Sequence, residues 1–148
     1  MSNPNKALVR EWFSVFNTGD FAPLARIHAA ECRNHAPGPF DVSPWPAAGK
    51  PFGPDEFRGT VEWIRTNQPD LHVEVERVLA EGDEVVAWIR ATGTPTGAGG
   101  PIPPTGARVD FAQAHRFRID HGQIVEHWAV RDDLTSLIQA GVVQRPER

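Results

Sequence analysis

The sequence predicts an α+β domain in which helices cover one face of a curved antiparallel sheet. Three observations predict it. Leu8, Trp12 and Phe16 fall at i, i+4 and i+8 near the start of the chain, with Val9 and Phe13 beside them. After Pro69 the period changes from 3.6 to 2: Leu71, Val73, Val75 and Leu79 share one face, and His72, Glu74 and Glu76 the other. Glu81-Gly82-Asp83 and Asp120-His121-Gly122 then break the remainder into hairpins. The 148 residues suit one domain over 1–148, and 40% apolar with 23% charged residues excludes disordered and fibrous classes.

The elements follow in order. Asn5 to Asn17 is the first helix, ended by Gly19. Phe21 to Cys32 reads as a second, short helix that Asp20 caps, making a helical hairpin with the first. From Asn34 to Gly53 five prolines keep the chain irregular, and a loop this long inside a compact domain is usually functional. Gly53-Pro54-Asp55-Glu56 starts a helix with proline and acids in its first turn, and Pro69 stops it. Strands over Leu71–Leu79, Val85–Thr92, Arg108–Ile119 and Gln123–Val130 form a meander, interrupted by a Gly/Pro loop at Thr94–Gly106. Asp132 or Asp133 caps a last helix, Leu134–Gln139, which Gly141 ends.

The net charge of −4 with scattered Lys and Arg argues against a nucleic-acid partner, which needs a clustered basic face. No run approaches the roughly 20 apolar residues that span a bilayer, and Met-Ser-Asn-Pro-Asn-Lys has no signal-peptide core, so a cytoplasmic protein without membrane contact is expected. The single Cys32 excludes an internal disulfide and a cysteine-built metal site. Gly97–Gly100 lacks the Gly-Lys-Ser/Thr of a phosphate loop.

Hairpin register places the polar residues. With three-residue turns, Val75 faces Ile89, Val73 faces Ala91 and Glu74 faces Arg90; in the second hairpin Phe117 faces Val125, His115 faces His127, Gln113 faces Ala129 and Arg116 faces Glu126. If parity carries across the sheet, Gln113, His115 and His127 share the inner, helix-covered face with Phe111, Phe117, Ile119 and Val125. Buried polar groups without partners cost about 1–3 kcal/mol each, so this cluster is either an internal network or a ligand site. Two histidines are too few for a metal. Asp132 is an N-cap or a nearby carboxylate, and His35 lies in the irregular loop at the pocket mouth or in solvent. Trp45 is a loop plug or a lid aromatic, while Trp12 and Phe16 are core residues that can also touch a ligand. The even face carries Trp88, Ala114 and Trp128; a second copy of the chain is its simplest cover, so a homodimer is expected.

Asn17-Thr18-Gly19-Asp20, Asn34-His35, Gln68-Pro69-Asp70-Leu71, Glu81-Gly82-Asp83-Glu84-Val85-Val86, Pro104-Thr105-Gly106 and His121-Gly122-Gln123-Ile124-Val125-Glu126-His127-Trp128 stand in one order. With Gln139-Ala140-Gly141, this set resembles the SnoaL-like polyketide cyclases of the nuclear transport factor 2-like superfamily over residues 5–142. The resemblance implies a cone-shaped α+β barrel with a deep apolar pocket, usually dimeric and without a cofactor. It implies ring closure by intramolecular aldol condensation of an apolar, carbonyl-bearing small molecule. Gln113, His115 and His127 match three of the family's substrate-facing positions. The fourth, commonly the acid/base Asp, is Ala129 here. His115, His127 or Asp132 then remains to move the proton, and a non-catalytic binder or an epoxide-hydrolase-like member is the alternative.

Overall fold

The computed structural model describes residues 3–36 and 49–148. Asn3 opens helix α1 (Pro4–Thr18): its side chain accepts from the N–H groups of Asn5 and Lys6, and Pro4 occupies a first-turn position that needs no N–H. Gly19 ends the helix at φ +66°, a left-handed conformation that favours glycine. The buried side of α1 is Leu8, Val9, Trp12, Phe13, Val15 and Phe16.

The expected helix over Phe21–Cys32 shrinks to one turn, α2 (Leu24–Ile27), and the chain continues as strand β1 (His28–Asn34). Helix-favouring Ala29, Ala30 and Glu31 are overruled by tertiary pairing: β1 lies antiparallel to β2 (Lys50–Pro51) and parallel to β6 (Gln123–Arg131). There is accordingly no two-helix hairpin at the start of the chain. Helix α3 (Pro54–Asn67) begins at Gly53 with Asp55 and Glu56 in its first turn, and buries Phe57, Thr60 and Val61.

Strands β3 (His72–Glu81), β4 (Glu84–Gly93) and β5 (Val109–Asp120) join the other three in one sheet of order β2-β1-β6-β5-β4-β3. The sheet is curved and unclosed, with the N-terminal helices on its concave side, and helix α4 (Asp133–Gln139) follows β6. This is the expected α+β class, a curved sheet with the N-terminal helices on its concave face; the β1–β6 pair is parallel, and the sheet is unclosed.

Both hairpins turn on two residues, not three, and each then inserts a β-bulge. In β3–β4, Glu81 faces Glu84; the bulge at Glu76 restores the expected pairs Val75–Ile89, Glu74–Arg90 and Val73–Ala91. Between bulge and turn the faces are inverted, so Val78 is buried and Leu79, expected inside, is 54% exposed. In β5–β6 the turn is His121-Gly122, both with positive φ, and the bulge falls at Val125. The register beyond it moves two residues from expectation: His127 faces Phe117, His115 faces Ala129, Gln113 faces Arg131 and Arg118 faces Glu126. A displacement by two leaves every side chain beyond the bulge on its expected face, whereas between bulge and turn the parity is inverted and Ile124, opposite Ile119, is buried. Between these hairpins, Val85–Phe117, Ala87–His115, Ile89–Gln113 and Ala91–Phe111 carry parity across the sheet.

The core lies between α1, α3 and the concave face. Trp12 stacks on Phe57 with centroids 4.3 Å apart and meets Phe13 and Phe117 edge-on. Burying each such aromatic contributes roughly 2–3 kcal/mol. Among the described residues no helix is long and apolar enough to cross a membrane.

Candidate functional site

Inside this core a narrow cavity of about 80 Å³ runs between α1, the end of α3 and the sheet. Its walls are apolar: Trp12, Phe13 and Phe16 from α1, Ile64 from α3, Val73, Ile89 and Phe111 from the sheet, and Pro101 and Ile102 from the loop before β5. Its polar lining is confined to Gln68, Gln113, His115, Arg131, Asp133 and Ser136.

The two central histidines form a directed chain. Asn34 is fully buried on β1, beside its partner His127 on β6. Its Nδ2–H donates to the Ala36 carbonyl at 2.7 Å, which leaves Oδ1 to accept from His127 Nδ1 at 2.8 Å. His127 Nε2 in turn lies 2.8 Å from His115 Nδ1. Burial lowers the pKa of both rings, His115 to about 3 with Arg131 adding to the effect, and His127 well below its usual value with help from His115, His28 and Arg131. Both imidazoles are therefore neutral at pH 7 and carry one proton each. An amide oxygen only accepts, so His127 holds its proton on Nδ1. His115 must then donate from its own Nδ1, and its Nε2 is left with a lone pair. Gln113 Oε1 stands 2.8 Å from that nitrogen. Two lone pairs do not bond, so the Gln113 amide satisfies the contact with its NH₂ turned over.

The aromatic cage explains the burial. Phe13 sits edge-on to His115 at 5.1 Å, and Trp12 lies 5.4 Å from His127. Trp12 spends its indole N–H on His28 Nδ1 at 3.1 Å, and His28 Nε2–H donates to the Phe52 carbonyl at 2.7 Å. The indole thus offers its ring, and not its N–H, to the cavity.

At the other end of the polar stretch, Arg131 faces Gln113 across the sheet. Its side chain is 10% exposed, and its Nε lies 3.4 Å from Asp133 Oδ1. Burial raises the Asp133 pKa, and the neighbouring Arg131 pulls it back only in part.

The residues singled out from the sequence divide clearly. Trp12, Phe16, Gln113 and His115 line the cavity. His127 and Ala129 stand directly behind, His127 bonded to His115 and Ala129 opposite it. Asp132 is an exposed N-cap whose carboxylate accepts from Thr135 N–H at 3.1 Å, which lowers its pKa. His35 sits on the convex face, 3.0 Å from Glu126 and stacked on Trp128 at 4.7 Å. Trp45 lies outside the described residues. Three residues were missed. Asn34 was hidden because a parallel, long-range strand pair leaves no local signal. Arg131 shares the inward parity of Gln113 and His115, but the fourth strand was ended one residue too soon. Asp133 was absorbed as one of two alternative caps. Among the described residues no group of three or more His, Cys, Asp and Glu is placed to hold a metal ion.

Comparison with known proteins gives one family and many folds of the same kind. The family described as SnoaL-like polyketide cyclase matches residues 6–140. IdmH from Streptomyces antibioticus, proposed to be a polyketide cyclase, is 26% identical with a TM-score of 0.80, covering 95% of this chain and 100% of that one. TsrD from Streptomyces laurentii is 23% identical with a TM-score of 0.79 over 97% and 99% of the two chains. AclR from Streptomyces galilaeus, proposed to be a hydroxylase, is 24% identical with a TM-score of 0.76 over 97% and 89%. No curated protein matches the sequence.

Proposed function

Because the chain belongs to the SnoaL-like polyketide cyclase family, we propose that it closes or isomerises an apolar, carbonyl-bearing small molecule by acid/base chemistry in the cavity, without a resident cofactor. His115 is the base. The observation supporting this reading is that the Asn34–His127–His115 chain ends in a lone pair on the one imidazole that lines the cavity.

His115 Nε2 takes a proton from carbon next to a carbonyl, and the C–H electron pair passes to the carbonyl oxygen as an enolate. The Gln113 amide N–H, released from His115, donates to that oxygen. The enolate carbon then attacks a second carbonyl of the same molecule, one C–C bond forms, and His115 Nε2–H returns its proton to the new alkoxide. His127 is a positioning residue: its Nε2 accepts from His115 Nδ1–H and steadies the cationic ring while it holds the proton. A positioned base is typically worth about 10²–10⁴-fold, and because burial lowers the His115 pKa to about 3 its contribution lies at the low end, about 10²-fold.

A binder without catalysis is the second reading, favoured by Ala129, which puts a methyl group opposite His115. An aryl-substituted 1,5-diketone in D₂O separates the two. A catalyst exchanges its α-protons and closes its ring, and His115→Ala loses both; a binder holds the ketone with no exchange above buffer. Ala129→Asp raises the rate if a carboxylate opposite His115 completes the site, and no gain counts against the cyclase reading.

We also propose that a second copy covers the convex face. Trp88 is 49% exposed and Val130 72%, and Ala114 lies between them in one cross-strand row. Trp128, by contrast, already carries the Arg116 guanidinium 4.4 Å from its ring. Sedimentation of Trp88→Glu as a monomer, with wild type a dimer at micromolar concentration, supports this; a monomeric wild type ends it.

A further inference from the structure

Among the described residues, the polar side chains that line the cavity are engaged, with one exception. Gln113 bonds to His115, Ser136 Oγ–H donates to the Asp133 carbonyl at 2.7 Å, and Asp133 pairs with Arg131. The exception is Gln68. It is 4% exposed and lines the cavity, and among the described residues no hydrogen bond reaches its carboxamide. Its backbone ends α3: its N–H donates to the Ile64 carbonyl at 2.8 Å, and its own carbonyl accepts from the Leu71 N–H at 3.0 Å. Any residue other than proline makes those two bonds, so they do not account for a glutamine.

Gly93 marks where that carboxamide lies. It ends β4 at a buried position of the concave face, and its backbone is not in the left-handed region. A Cβ added to it would come within 2.8 Å of Gln68 Oε1 and 3.5 Å of Gln68 Cβ. Glycine therefore serves here to make room for the amide, as glycine in a strand does where something approaches closely. The same strand measures the site. Ile89 faces Gln113, and four residues of β4 separate Ile89 from Gly93, about 13 Å at roughly 3.3 Å per residue. Leu71, Ala91, Ile102 and Phe111 give this end of the cavity apolar side-chain walls. A carboxamide kept from water with nothing to bond costs stability that leucine, of similar size, would not. A ligand oxygen brought to it offsets that cost.

We propose that Gln68 is the second hydrogen-bonding pole of the cavity, and that it selects a ligand with a neutral oxygen, hydroxyl or carbonyl, at the end of its apolar body away from the carbonyl held by Gln113 and His115. The oxygen is neutral because a carboxamide brings no charge to offset one. This rests on the cavity being the ligand site and is independent of whether His115 moves a proton.

The test is fluorescence titration of the full chain with 6-acetyl-2-naphthol, which has a carbonyl and a hydroxyl at opposite ends of a fused bicyclic body, and with 2-acetylnaphthalene, which lacks the hydroxyl. The hydroxy ketone is expected to bind about tenfold more tightly, the gain of one hydrogen bond made out of water. Gln68→Leu brings the two affinities together, whereas loss of a side chain that merely filled space would weaken both alike. Gly93→Ala, which pushes the carboxamide aside, erodes the same preference. His115→Ala keeps the preference while losing exchange of the acetyl protons in D₂O, which separates failure of this proposal from failure of the catalytic one. Equal affinities, or a preference that survives Gln68→Leu, overturn it. Binding of neither ketone at the limit of solubility removes the cavity as the ligand site and this proposal with it. Should Gln68→Leu not melt cooperatively, a preference unchanged in Gly93→Ala overturns it as well.

Discussion

The convex and concave faces of the sheet handle polarity in opposite ways. On the convex face the charges stand in water as pairs: Arg90 with Glu76 and Asp110, Arg116 with Glu84, Arg118 with Glu126. On the concave face the polar groups are out of water, and each depends on a particular neighbour: Asn34 on Ala36, His127 on Asn34, His115 on His127. Solvent can replace any member of a convex pair, whereas nothing replaces a member of the concave chain. The same residue types are therefore worth little on one side and much on the other.

The largest expected effect that sharpens this contrast is on rate: His115→Ala lowers α-proton exchange of the diketone by about 10²-fold, the low end for a base whose pKa burial has lowered, read by NMR. A loss below tenfold would leave the concave chain as packing only. Acid stability comes next. His28, His115 and His127 all have native pKa values below the ordinary 6.5, chiefly through burial. Below about pH 6.5 the unfolded chain binds protons that the native chain refuses. Stability is thus full above that pH and falls continuously toward pH 3, by a few kcal/mol for His115 alone. Urea midpoints at pH 7.5 and 4.5 check the sign, and equal midpoints would contradict it. Asn34→Leu strands the His127 Nδ1–H in the core and costs about 1–3 kcal/mol in urea unfolding. Its convex counterpart, Arg116→Ala, costs less than about 1 kcal/mol, a difference that shrinks further in high salt. The smallest effect is at Leu79, where Ser changes stability by under about 0.5 kcal/mol because the bulge already puts that side chain in water.

Much of this was legible because parity is a local property. Alternation in Val73–Val75 and Val85–Ala91, carried across β4 and β5, put Gln113, His115 and His127 on the helix-covered face without knowledge of the exact register. Turn residues marked both hairpins but did not disclose that a two-residue turn and a bulge take the place of a three-residue turn. That substitution is harmless to the faces beyond the bulge and fatal to the faces before it, as Leu79 and Val78 record. β1 was illegible for another reason. His28–Asn34 has good helix formers and no alternation, and only its ladder with β6 makes it a strand. Since Asn34 arrives on that strand, the anchor of the histidine chain was invisible for the same cause. Ala129, which stands opposite His115, was plain in the sequence; Arg131 and Asp133 needed the end of β6 to be in view.

The bulge at Val125 also dictates how this hairpin tolerates length changes. Deleting that single codon would turn one part of β6 upside down, sending His127 to the convex side or Ile124 out of the core. Removing or adding a pair of residues there would merely slide the imidazole one rung along its neighbour while every side chain kept its orientation. Lineages and engineers can therefore re-space the reactive groups of this scaffold, but only in steps of two.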